Sequence, residues 1–312
     1  MIHDRNIALN ANINPAKIAG GGGISPLLYL ASLKRQTSRI APNVFYVDPD
    51  FGKDGNSGLT PDYPFKTVLK ARTVQAAKIN WTLSPWAIND AIILFPGIYD
   101  EINLTGGLYG VHVIGLGNGD DINGESGAVI KPATGVVWDA NSWINMTFSN
   151  IALLAAATAV PVMQLDTFNR GIIQDCVFQG IPGSSDITTI GFEIVVDMTG
   201  SIWRRNLVNQ CLTGISLGIT APKQITGNRF EDFDIMGAET AGIQLDADCV
   251  AFGTVFKRFT IGPTPALGVD DNASAATYYA MFIDGRMEAT ACDPASASGH
   301  YSGCYLNGGL MA

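Results

Sequence analysis

The chain has 312 residues, is 47% apolar and only 15% charged, and contains 35 glycines, so it can bury a large core in one large domain or two ordinary ones joined by many turns. Its net charge of −9 is unevenly placed: residues 1–44 hold Arg5, Lys17, Lys34, Arg35 and Arg39 against Asp4 alone, a net +4, and the remainder carries −13. An acidic body repels nucleic acid, and no apolar run is long enough to span a bilayer, since the longest (Ile151 to Met163) is short and carries Pro161. The five cysteines are odd in number and form no CxxC, which points away from a disulfide framework or zinc site and toward synthesis in a reducing cytoplasm. No basic-then-apolar leader opens the chain.

Residues 1–42 read as an arm. A four-glycine run, Gly20–Gly23, separates a small-residue stretch from "SPLLYLASLKRQ", where Ser25 suits a helix cap and Pro26 its first turn. The basic residues Arg5, Lys17, Lys34, Arg35 and Arg39 make it a candidate docking arm. Residues 43–90 then read as a cap. "FYVDPDFGKDGNSGLTPDYPFKTVLKA" (Phe45 to Ala71) is a strand, a Gly/Asp/Asn-rich turn and a short helix starting near "YPFKTV". "AIILFPGIYDE" (Ala91 to Glu101) is a buried strand that ends in a Pro-Gly turn.

From residue 140 onward the chain repeats. "WINMTFSNI", "IIQDCVFQGI", "IWRRNLVNQC", "ITGNRFEDF" and "AFGTVFKRF" align on Phe148, Phe178, Val208, Phe230 and Phe256. A second track supplies the alternating pairs Met163/Leu165, Phe192/Ile194, Ile215/Leu217, Ile243/Leu245 and Met281/Ile283, three of them preceded by Gly191, Gly214 or Gly242. Short strands recurring in this way predict a solenoid, whose turns bury their apolar faces on one another. The expected fold is therefore all-β: a single-stranded right-handed parallel β-helix over 91–285 with a capping helix, preceded by the arm and followed by a C-terminal segment, 286–312. The register predicts rung-to-rung pairs Asp175/Arg205, Glu231/Lys257 and Asp232/Arg258, and a short ladder of Asn206 and Asn228.

The Phe45–Ala71 and Ile92–Glu101 stretches, with "VHVIGLGNGD" after them, resemble the opening of pectin-lyase-like parallel β-helix domains. That family includes secreted polysaccharide lyases and hydrolases as well as bacteriophage virion proteins, often homotrimers docked by an N-terminal arm. The arm makes this chain resemble the second group. What the resemblance implies is a spike or capsid-decoration protein located on the virion, with itself and capsid or tail proteins as partners. The alternative is a tailspike that binds or depolymerises host surface polysaccharide.

Neither the calcium-binding Asp cluster with its Arg nor the Asp-Asp plus Gly-His-Gly pattern of the family's enzymes stands here. Asp120-Asp121 and Asp270-Asp271 read as solvated turns, and the three histidines suggest no metal site. The weak catalytic candidates are Glu193, Glu231, Asp232 and Asp248, because a glycosidase needs two carboxyls, one with a raised pKa. Glu231 and Asp232 already have expected cationic neighbours, which lower a carboxyl pKa. Cys176 and Cys211 read as core thiols, "GLGNG" as a solenoid turn, and no cofactor is expected. Thr147, Val177, Leu207, Arg229 and Val255, one before each anchor, form an apolar-rich outward column expected at a trimer interface.

Overall fold

The computed structural model describes residues 43–77, 90–101, 104–155, 160–181, 190–218, 223–246, 249–263, 265–272, 280–289, 291–293 and 300–311. The arm, with Arg5, Lys17, Lys34, Arg35 and Arg39, lies outside the described residues, as does Asp248.

The described chain winds as a parallel β-solenoid, as the repeat predicts. Each middle turn lays one strand on each of three faces. The first face is built from strands such as Thr147–Ser149, Ile172–Gln174 and Ile202–Arg204. The second carries Ile151–Leu154, Val177–Gln179 and Leu207–Asn209. The longer strands Met163–Asn169, Ile190–Thr199, Thr213–Leu217 and Ala241–Leu245 make the third. Two strands, Arg229–Met236 and Val255–Ile261, run around the corner from the first face to the second. Every strand pair is parallel except the last, Tyr305–Leu306 with Gly309–Leu310, which folds back to close the described end.

Side chains alternate in and out along each strand, so each face stacks its inward residues into columns. On the first face Phe148, Ile173, Trp203, Phe230, Phe256, Phe282 and Tyr301 follow one another rung by rung. From Phe230 to Tyr301 the rings of this column lie nearly flat on each other: Phe230–Phe256 centroids are 4.5 Å apart and Phe256–Phe282 4.9 Å. On the second face the column is Leu153, Phe178, Val208, Ile235, Ile261 and Met287.

This register corrects the sequence alignment. Phe148, Phe230 and Phe256 belong to the first face, whereas Phe178 and Val208 belong to the second. The two faces carry the same apolar alternation five residues apart, so hydrophobicity alone permits the slip. The second track is correct through Ile243/Leu245 on the third face, but its next rung is Val269/Asp271; Met281 and Ile283 flank inward Phe282 on the first face. The stacked glycines Gly191, Gly214 and Gly242 continue into Gly268, and a Cβ on Gly214 would sit 2.6 Å from the Gly242 carbonyl oxygen.

Asn206 and Asn228 occupy different corners rather than one ladder. Asn206 accepts from the Cys176 N–H at 2.9 Å and donates to the Ile173 carbonyl; Asn228 accepts from the Ser201 N–H at 2.9 Å and donates to the Met198 carbonyl. Each buried amide thus ties its corner to the preceding turn. The rungs also continue past residue 285: Arg286–Met287 pairs with Thr260–Ile261, and Tyr305–Leu306 pairs with Arg286–Met287.

The cap holds helix α1, Val68–Ala76. Thr67 caps it, its hydroxyl accepting from the Lys70 N–H at 3.1 Å. Asp54 braces the residues before it through the Lys66 and Thr67 N–H groups, both at 3.0 Å. The Glu101 carboxylate accepts from the Val68 N–H and, at 2.8 Å, from Leu69. The strand Val44–Val47 pairs directly with Asp90–Leu94, so the cap contributes a first rung.

Candidate functional site

The third face points one polar residue per rung outward between its two inward columns. In order these are Asp139, Gln164, Glu193, Ser216, Gln244 and Asp270. The signal for this column was legible in the repeat, since it occupies the middle position of each alternating apolar pair. What sequence reasoning missed is that Asp139 and Gln164 stand in the same column as Glu193.

Glu193 points away from the core yet is only 4% exposed. The Gln164 amide donates to its carboxylate. Burial pushes the Glu193 carboxyl above its usual range, the Gln164 hydrogen bond opposes this, and the negative charge of Asp139 adds to it. Asp139 lies two rungs away, and two strand spacings amount to about 9.6 Å. That is near the wide limit, about 9.5 Å, at which one carboxyl protonates a glycosidic oxygen while another activates water. Glu193 is thus a buried carboxyl held above its usual range, and Asp139 is the neighbouring carboxyl in the column.

The other candidates do not join it. Glu231 lies on the first face between Arg204 and Lys257 of the adjacent rungs. Asp232 sits at the corner, where the Arg258 guanidinium grips both of its oxygens at 2.5 and 2.8 Å. Hydrogen bonding to Arg258 holds its carboxyl below the usual range, which suits a permanent anion and not a proton donor. The expected pairing of Asp175 with Arg205 is present as well, at 2.6 Å.

Asp121 accepts from the Asn123 and Ser126 N–H groups, at 2.9 and 2.5 Å, and organises its own turn. Asp270-Asp271 is a correction: it ends the strand Leu267–Asp271, with Asp271 turned inward and buried. His112 stands on a strand, and burial lowers its pKa. No cluster of three His, Cys, Asp or Glu fit to hold a metal occurs among the described residues. Cys176 and Cys211 are buried free thiols pushed up to about 12 by burial, which makes them inert packing groups, as expected. "GLGNG" is a turn after the strand Val111–Gly115, with Gly117 at φ 91°.

The proposed interface column divides. Val177 and Leu207 are neighbours on the second face, as expected, but Thr147, Arg229 and Val255 lie on the first. Val177 is 3% exposed and joins Val129 and Ala152 in a small apolar cluster outside the main core, against which Leu207 packs. Within a single chain Val177 is therefore already covered; Leu207 and Val255 are half-buried and Arg229 is exposed.

No protein-family model matches the chain, and no curated protein matches its sequence. Among solved structures it is similar to an alginate lyase from Paenibacillus sp. str. FPU-7, with 13% identity and a TM-score of 0.45 over 70% of this chain and 84% of that one. It is also similar to a GH136 lacto-N-biosidase from Eubacterium ramulus, with 9% identity and a TM-score of 0.26 over 91% and 70%. Likeness at these scores bears on neither substrate nor chemistry. The class defined by the molecule's own strand pairing is the parallel β-solenoid.

Proposed function

We infer that the protein is a structural component of a bacteriophage particle, a homotrimeric spike or capsid-decoration protein anchored by its N-terminal arm. The observation that carries this reading is how the outward polar side chains are used. Arg205 is bound to Asp175, Arg258 to Asp232 and Arg204 to Gln174, each across neighbouring rungs. Groups tied in this way stiffen the surface of a solenoid and are withdrawn from chemistry. The basic arm supports the same reading. Mass spectrometry of purified particles from a producing host should find the chain as a stoichiometric component. Its absence from the particles would overturn the proposal.

One observation favours a second reading, a tailspike that binds or depolymerises host surface polysaccharide. Glu193 is a carboxyl of raised pKa on an outward column, with Asp139 two rungs away. The test is to incubate the protein with bacterial surface polysaccharides and count new reducing ends. Release by the wild type that is lost in Glu193→Gln establishes depolymerisation; neither release from nor binding to the glycans of the producing host removes this reading.

A further inference from the structure

We propose that one corner of the solenoid carries a continuous ladder of alternating charge, Asp175–Arg205–Asp232–Arg258–Asp284, and that this ladder selects the register in which the turns stack. The five residues occupy equivalent positions on successive rungs, between the first and second faces. All five have a left-handed backbone, with φ between 49° and 56°. That conformation is disfavoured for an L-residue, for Arg more than for Asp. At the corner that precedes the first face the same conformation is taken on successive rungs by Asn145, Arg170, Gly200, Gly227 and Gly253, the glycines bearing it without strain. Charged side chains therefore stand at this corner against the backbone preference, in strict alternation of sign.

Two steps of the ladder are two-pronged ion pairs, Arg205 on Asp175 at 2.6 and 2.8 Å and Arg258 on Asp232 at 2.5 and 2.8 Å. The other two steps join these pairs. Asp232 is drawn to Arg258 first and then to Arg205 and Lys257; Arg258 is drawn to Asp232 first, then to Glu231 and, on its other side, Asp284. Each interior charge thus faces opposite charge on both flanking rungs.

The need for such a device follows from the core. A slip of five residues lays Phe178 over Phe148, or Phe230 over Val208, and keeps apolar residues facing inward. At the ladder's own steps such a slip sets Arg205 against Gly227 and Asp232 against Gln210 or, between the ion-paired rungs, Asp175 against Gln210 and Arg258 against Gly237. The hydrophobic columns scarcely distinguish the two stackings, whereas the ladder exists in only one.

Two variants and a thiol probe test this. Asp232→Arg places three cations on consecutive rungs and should lower Tm by about 5 °C in low salt, with less loss in 0.5 M NaCl. After refolding, a fraction of its molecules should expose Cys176 or Cys211 to a thiol reagent under native conditions, since both thiols are buried in the native register. The second variant reverses every sign (Asp175→Arg, Arg205→Asp, Asp232→Arg, Arg258→Asp, Asp284→Arg) and preserves the alternation. It should recover most of the lost Tm and the thiol protection. The ladder is refuted if Asp232→Arg melts within a degree of wild type and refolds with its thiols protected. It is equally refuted if the full reversal is no better than Asp232→Arg.

Discussion

Phe230 lies in the aromatic column between Trp203, tilted against it, and Phe256, stacked on it, and is fully buried. Truncating it removes ring contacts on both flanking rungs and leaves a cavity that the rigid stack cannot close. Phe230→Ala should cost about 3–5 kcal/mol in denaturant unfolding, and Phe178→Ala on the second face a similar amount. A loss below 1 kcal/mol at either position would contradict the assigned columns. Glu101 poses a different residue-scale problem, a 7% exposed carboxylate at the start of α1. Burial pushes its carboxyl up to about 7 against the N–H groups of Leu69 and Val68, which pull it down. Since the folded pKa exceeds the unfolded one, the native state binds the extra proton between about pH 4.5 and 7. The contribution of this group is therefore fully present below pH 4.5 and declines as pH rises to 7. Stability curves of Glu101→Gln and wild type should diverge across that window, with the variant lacking the decline.

At the scale of the element, the third face depends on its glycine column. Gly191, Gly214, Gly242 and Gly268 stack at one strand position, and each of the first three has a carbonyl of the next rung where a Cβ would stand. Gly214→Ala forces that carbonyl or the Ile235 side chain to move, an overpacking cost of about 1–3 kcal/mol. Melting within a degree of wild type would mean that the strands can spread freely. Three members of this column were visible in the sequence as glycines before alternating pairs. Gly268 was not, because the pair that follows it ends in Asp271 and breaks the apolar pattern. The two-pronged ion pairs were legible for a related reason: charges of opposite sign at a fixed offset survive a partly wrong alignment, since each pair lies within one correctly stepped interval.

At the scale of the whole molecule, two expectations concern assembly. Leu207 is half-buried at the edge of the apolar cluster of Val129, Ala152 and Val177. If that edge meets another subunit, light scattering should report a trimer for the wild type and a smaller species for Leu207→Asp. A monomeric wild type would end the trimer proposal. A trimer indifferent to the buried charge would move the contact to another face. Deleting residues 1–42 should leave the solenoid's melting unchanged and abolish incorporation into particles; normal incorporation would remove the docking role from the arm.

The all-β solenoid, its capping helix and its core thiols were readable from the amino-acid sequence, because period-two alternation and recurring turns are local properties of the chain. The assignment of Phe178 to the second face, the separate corners of Asn206 and Asn228, and the inward turn of Asp271 were decided only by the tertiary structure. So was the neighbourhood of Glu193, whose raised pKa depends on burial and on Gln164 and Asp139, residues 29 and 54 positions away in sequence. The physical reason is common to all four. Alternation states that a side chain points in or out, but which rung it then meets is set by how many residues each turn spends at its corners. That number varies from turn to turn and is fixed only when the turns close on one another.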